Sequence, residues 1–196
     1  MLQEKLKSAT SAHHDELEEL MYVHEIMNKT LTLEQYKTLL ATNYIIHSAV
    51  ESKLHDALDG EIRDSLDIDS RNKLNALEMD LAEMNMEKKI LDAIAFEFDL
   101  KDHRNAASLG AMYVLEGATL GGSVIQKKLR ANSAFANLSL NYYNVYAQNL
   151  IPNWQTFVKV LNTSVPETDH QLAEESAVDM FQDIARVSKA VKTVLS

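Results

Sequence analysis

The sequence predicts an all-α fold, and three observations carry the prediction. Hydrophobic residues make up 46% of the chain's 196 residues, enough to bury a proper core. Five glycines and two prolines are too few to supply the turns of a strand-rich protein. Apolar residues recur at three- and four-residue steps, the period of a helix face.

Composition also narrows the chemistry. With no cysteine, disulfides, thiolate ligands and cysteine nucleophiles are excluded, so a bound metal must rely on histidine, carboxylate, tyrosine or methionine. A net charge of -10 opposes binding to nucleic acid or to an anionic membrane. The opening MLQEKLKSAT is charged and amphipathic, and no apolar run approaches a membrane span. We therefore expect a single domain over 1–196, located in the cytoplasm.

The first helix is expected from Leu2 to Met21, with Leu2, Leu6, Ala9, His13, Leu17 and Leu20 along its apolar stripe. Periodicity alone chooses His13 as the buried histidine. His14, at the edge of the stripe, has Glu18 one turn on, where a carboxylate accepts from one ring nitrogen and leaves the other free for a metal. Tyr22 to Thr30 reads as a connection, and Thr30 or Thr32 followed by Glu34 signals the next helix start. That helix is expected over Leu33–Leu58, its inner side carrying Tyr36, Leu40, Tyr44, His47, Val50, Glu51 and Leu54, and closed by Asp59-Gly60.

Glu61 to Asp69 reads as an acidic connection, and Asp69 or Ser70 caps a third helix to about Met86 with Leu74, Leu77, Leu81 and Met84 inward. A shorter helix is expected over Glu87–Leu100, burying Ile90, Leu91, Ile94 and Phe98, with His103 in the polar link that follows. Asn105 to Arg130 is the next helix, ending in the basic cluster Lys127, Lys128 and Arg130; Ala131 to Ser139 is a loop. Asn141 to Thr163 reads as helix interrupted near Pro152, and the last helix follows Pro166.

Four of the five glycines, Gly110, Gly117, Gly121 and Gly122, fall inside the helical stretch LGAMYVLEGATLGG. Each interior glycine costs about 1 kcal/mol relative to alanine, so another requirement must offset them. Gly117 and Gly121 share a face where backbone approaches a neighbour closely, and Gly121-Gly122 invites a kink. Two readings stand level: a small-residue groove for helix packing, or a platform for a ligand.

YVLEGATLGG resembles the distal-helix signature of bacterial heme oxygenases, in which a glycine-kinked helix lies across one face of heme. LKSATSAHHDELE resembles the same family's proximal helix, where threonine precedes and glutamate follows the iron-binding histidine by four residues. Thr10, His14 and Glu18 match that spacing and His13 does not. YKTLLATNYIIHSAVESKL, NLIPNWQTFVKVL and EESAVDMFQDI resemble three further segments in the right order, placing His47 and Glu51 near the distal pocket and matching Trp154, Phe157 and Phe181 to the family's aromatics.

The resemblance implies a multi-helix fold holding heme between a proximal and a distal helix, with heme as cofactor and substrate. It implies His14 as iron ligand oriented by Glu18, and Gly117, Gly121 and Gly122 close over the macrocycle. Lys7 stands where relatives carry a basic residue for a propionate; Lys159 and the Lys127, Lys128, Arg130 cluster are further candidates. The implied products are biliverdin, carbon monoxide and iron, with ferredoxin, flavodoxin or a reductase as electron donor. Many members carry aspartate after the first distal glycine; this chain has Ala118, so a proton relay must be built from water near Thr119, Ser123, His47 or Glu51. Two alternatives remain: a heme-binding storage, delivery or sensor protein without turnover, and a di-iron protein, for which Glu167 and His170 offer a single E-x-x-H pair.

Overall fold

The computed structural model describes residues 1–195, and among these nine α-helices and no strand occur. They are α1 (Leu2–Leu20), α2 (Val23–Asn28), α3 (Leu33–Asp56), α4 (Gly60–Leu66), α5 (Leu74–Glu83), α6 (Lys88–Asp92), α7 (Asn105–Arg130), α8 (Leu150–Ser164) and α9 (His170–Leu195). Short 3-10 turns join several of them. No helix among the described residues is long and apolar enough to cross a membrane.

The last helix is the frame on which the others are mounted. One face of α9, with Ala173, Ala177, Met180, Phe181, Ile184, Val187 and Val191 buried, packs along α7, α1 and α3. Ala173 is where α7 comes nearest: a Cβ on Gly110 would overlap the Ala173 backbone carbonyl. Gly110 is thus a packing glycine, required by a backbone-to-backbone crossing.

α3 buries residues on more than one side, including Thr38 and Thr42. It tolerates them because each hydroxyl donates to the carbonyl four residues back, to Glu34 and Thr38 respectively. Its start is a capping box, with Thr32 Oγ1 accepting from Gln35 N and Gln35 Oε1 accepting from Thr32 N.

Several boundaries differ from the sequence expectation. Tyr22–Thr30 holds the one-and-a-half-turn α2, bracketed by Tyr22 and Lys29 at positive φ. Asp59-Gly60 opens α4 where a stop was expected, and the acidic connection contains that helix and a 3-10 turn over Ile68–Arg71. α5 begins at Leu74, later than expected, because Arg71 and Lys73 are drawn into the interior. Of the expected helix over Glu87–Leu100 only α6 forms, and Ile90 is exposed. Pro152 does not interrupt α8; it sits in the first turn, where an amide hydrogen has no helical partner to lose. α7 runs unbroken through all four of its glycines, without positive φ at any.

Candidate functional site

A cleft of about 380 Å³ opens where α1 and α7, both packed on α9, face each other. From α1 it is lined by Gln3, Lys7, Thr10, Ser11, His14 and Asp15. The opposite wall is Tyr113, Val114, Gly117 and Leu120 of α7, completed by Trp154 of α8 and Phe181 of α9. These four α7 positions lie on one helix face at three- and four-residue spacing, and its centre, Gly117, has no side chain.

The α7 glycines divide into two pairs. A Cβ on Gly117 would meet only the Trp154 ring, at 3.8 Å, and one on Gly121 would meet nothing within 4 Å. Gly110 and Gly122 instead face protein backbone, the latter 3.3 Å from the Tyr143 carbonyl oxygen. The packing reading thus holds at Gly110 and Gly122, while Gly117 and Gly121 leave open space. Gly121→Ala is expected to raise the ligand-free protein's stability by about 1 kcal/mol, the helix-propensity gain. Thermal unfolding of the apoprotein checks this; no gain would mean that the position is crowded.

His14 presents its ring to the cleft with Glu18 Oε1 3.7 Å from Nδ1, and Phe181 meets the ring edge-on at 6.2 Å between centroids. No described residue hydrogen-bonds the other nitrogen. Asp15 joins His14 and Glu18 in placing three potential ligand atoms within 4.8 Å of one another. Thr10 is buried and its hydroxyl donates to the Leu6 carbonyl at 2.8 Å. It thus serves α1 itself while lining the cleft. His13, the choice of the apolar stripe, is half-buried and does not line the cleft. Lys7 lies at the rim, exposed.

Other predicted contact residues, Gly121 among them, do not line the cleft. Gly122 is buried against Tyr143 because its place on α7 is turned well away from Gly117. Thr119 donates to the Glu116 carbonyl and lines a separate hollow of about 30 Å³ with Ser123, Tyr142, Tyr143 and Tyr146, enough for a water molecule. Lys128 sits in the last turn of α7, where cations offset the helix dipole, and Lys159 is exposed on α8; neither lines the cleft. Arg130 donates to the carbonyls of Ala136, Leu138 and Ser139 and so ties down the following loop. His170 faces Lys5 Nζ at 3.2 Å, and the Glu167–His170 pair does not join a cluster of metal-capable groups among the described residues.

Behind the α7 wall lies a buried ionic network that the sequence reading missed except at His47 and Glu51. Glu116, next to Gly117, accepts from Arg71 Nη1, from Lys73 Nζ at 2.8 Å and from the Tyr146 hydroxyl at 2.8 Å. Glu51 accepts from His47 Nδ1 at 2.9 Å and from the Lys73 backbone amide at 3.0 Å. His47 Nε2 lies 3.2 Å from the Tyr142 hydroxyl, which donates to Asn43 Oδ1 at 3.0 Å.

Burial alone would raise the Glu116 carboxyl, but Lys73 and Arg71 outweigh it and hold the group below its usual range. Glu51 is depressed in the same way, burial opposing and His47 and Lys73 prevailing. Burial pushes the Tyr146 phenol up to about 12, so it stays a neutral donor. The available signal was Glu116 itself, a carboxylate in the middle of an apolar helix half.

Comparisons with known proteins speak to the fold and the family. A family model described as heme oxygenase matches residues 1–190. Among solved structures, the NO- and CO-bound heme oxygenase from Neisseria meningitidis matches with a TM-score of 0.72 at 20% identity, covering 100% of this chain and 92% of that one. At such identity the likeness speaks for the fold. No curated protein sequence matches the chain significantly. With the family model spanning almost all of the sequence, on a helical frame that sets one imidazole across a cleft from a glycine wall, the chain belongs to the heme oxygenase family.

Proposed function

We propose that this protein is a biliverdin-producing heme oxygenase. The observation that carries the reading is the cleft itself: one imidazole with a nitrogen unclaimed by the protein stands across from a helix face whose centre has no side chain. Flat macrocycles need such a slot, and an iron at their centre needs one axial nitrogen. Bound heme supplies the iron that activates dioxygen and is itself the substrate, yielding biliverdin, carbon monoxide and iron with electrons from a ferredoxin, flavodoxin or reductase.

The chain's own residues supply the rest. His14 would hold the iron through Nε2, and Glu18 beside Nδ1 favours the tautomer that carries the ring proton there. Gly117 and Gly121 let the α7 backbone approach the opposite face, while Trp154, Tyr113 and Phe181 exclude water from the edge. Lys7 at the rim would pair with a propionate. Ala118 is exposed and offers no carboxylate, and the water-sized hollow at Thr119 and Ser123, beside Tyr142 and Tyr146, is the nearest place in α7 for a proton-carrying water.

Ala118 favours a second reading, in which heme is bound for storage, delivery or sensing and not consumed. One experiment separates them. Hemin is titrated into the wild type and His14→Ala, then reductant and a competent donor are added under air while the visible spectrum is followed. The oxygenase reading expects a histidine-ligated heme band that decays as biliverdin absorption grows, with His14→Ala losing the ligation. Persistent heme supports the second reading, and absence of stoichiometric binding overturns both.

A further inference from the structure

The α7 and α8 parts of the cleft wall are bridged from behind by a buried guanidinium. Arg71, 1% exposed, stands on the 3-10 turn between α4 and α5 and touches neither the cleft nor its lining side chains. Its Nη1 donates to Glu116, the residue before Gly117, and its Nη2 donates to the carbonyl of Asn153 at 3.1 Å, the residue before Trp154. The third donor, Nε, reaches the Leu66 carbonyl at 2.7 Å and anchors the side chain to the end of α4. Gly117 and Trp154 are neighbours in the lining of the cleft, and a Cβ added to Gly117 would lie 3.8 Å from the Trp154 ring.

We propose that Arg71 is a positioning residue that fixes the separation of the Gly117 backbone from the Trp154 indole, and with it the in-plane seat of a macrocycle in the cleft. The second half of this statement rests on the heme reading; the first does not. A planar fork with donors on separate nitrogens spans a carboxylate and a carbonyl on different helices at once. Lysine keeps the charge, but its one nitrogen cannot stand at the three separate places where Arg71 Nε, Nη1 and Nη2 meet Leu66, Glu116 and Asn153. Lys73 shares Glu116 with Arg71 yet has no bond to α8, so it separates loss of buried charge from loss of the tie.

Trp154 is the chain's one tryptophan, so its fluorescence reports this wall without any ligand. In the apoprotein, Arg71→Lys is expected to shift Trp154 emission to the red and raise its quenching by acrylamide, whereas Lys73→Gln leaves both at wild-type values despite lower stability. Wild-type emission and quenching in Arg71→Lys overturn the proposal, as does an equal shift in Lys73→Gln. Should Arg71→Lys fail to fold, the double substitution Arg71→Met with Glu116→Gln removes the charge pair together and still lacks the tie. It carries the same expectation and the same refutation.

With hemin bound, the hyperfine-shifted methyl signals of the macrocycle are expected to show one in-plane orientation in the wild type and a mixture in Arg71→Lys. A single unchanged set in the variant overturns the seating claim. Failure of the wild type to bind hemin refutes the heme reading and the seating claim with it, while Trp154 emission still decides the tie.

Discussion

Glu116→Gln is expected to cost about 3–5 kcal/mol, the usual penalty for removing one partner of a buried ion pair. The substitution leaves Arg71 and Lys73, 1% and 2% exposed, facing each other with only Glu51 nearby to balance them. In a chain of this size such a loss lowers Tm by roughly 10 °C. The pH dependence identifies the cause. Glu116 and Glu51 ionise below their ordinary 4.5 in the folded protein, so their contribution is present above that value and lost as pH falls through the folded pKa. Lys73, raised above its ordinary 10.5, contributes below that value and loses its contribution only in strong alkali. Urea unfolding between pH 3 and 7, the window set by those lowered carboxyls, is expected to show a shallower acid decline in Glu116→Gln than in the wild type. Equal slopes would sink the assignment.

Gly110→Ala is expected to lose about 1–3 kcal/mol, although the same change elsewhere in a helix gains about 1. The added methyl group meets the Ala173 backbone, which has no rotamer with which to yield, so α7 and α9 must separate. Since α9 also supplies Phe181 to the cleft, the variant is expected to bind hemin more weakly as well. Chemical denaturation beside Gly121→Ala is the check: opposite signs at two glycines of one helix are expected, and a gain at both would mean that the crossing is looser than described.

The long elements were legible because each carries its own period. α1, α3 and α7 start where the sequence reading puts them and end within two residues of it, since each repeats an apolar stripe over several turns. α2, α4 and α6 have seven residues or fewer, too short to show a period, and owe their existence to tertiary packing. Within the cleft, His14 was reached by its spacing from Glu18 and Thr10, against the stripe that chose His13. Trp154 and Phe181 entered through resemblance and not through pattern. The Arg71 and Lys73 contacts with Glu116 span 45 and 43 residues, and no local rule pairs a loop cation with a helix carboxylate at that distance. Lys128 lies beyond the motif, in the last turn of α7, and Thr119 and Gly122 lie off the cleft for a simpler reason. A contiguous motif was read as one surface, whereas consecutive helical residues turn by about 100°.

The mounting of α1 and α7 on α9 has a consequence for how the protein comes into being. Residues 2–20 and 105–130 are held in their relative positions chiefly by a helix that begins at residue 170. During synthesis the first wall therefore leaves the ribosome long before its backing exists, and waits as an amphipathic helix with Leu2 and Leu6 uncovered. Closure of the slot is a late, long-range event of high contact order. A nascent chain has no complete cleft until α9, which supplies Phe181, has been made.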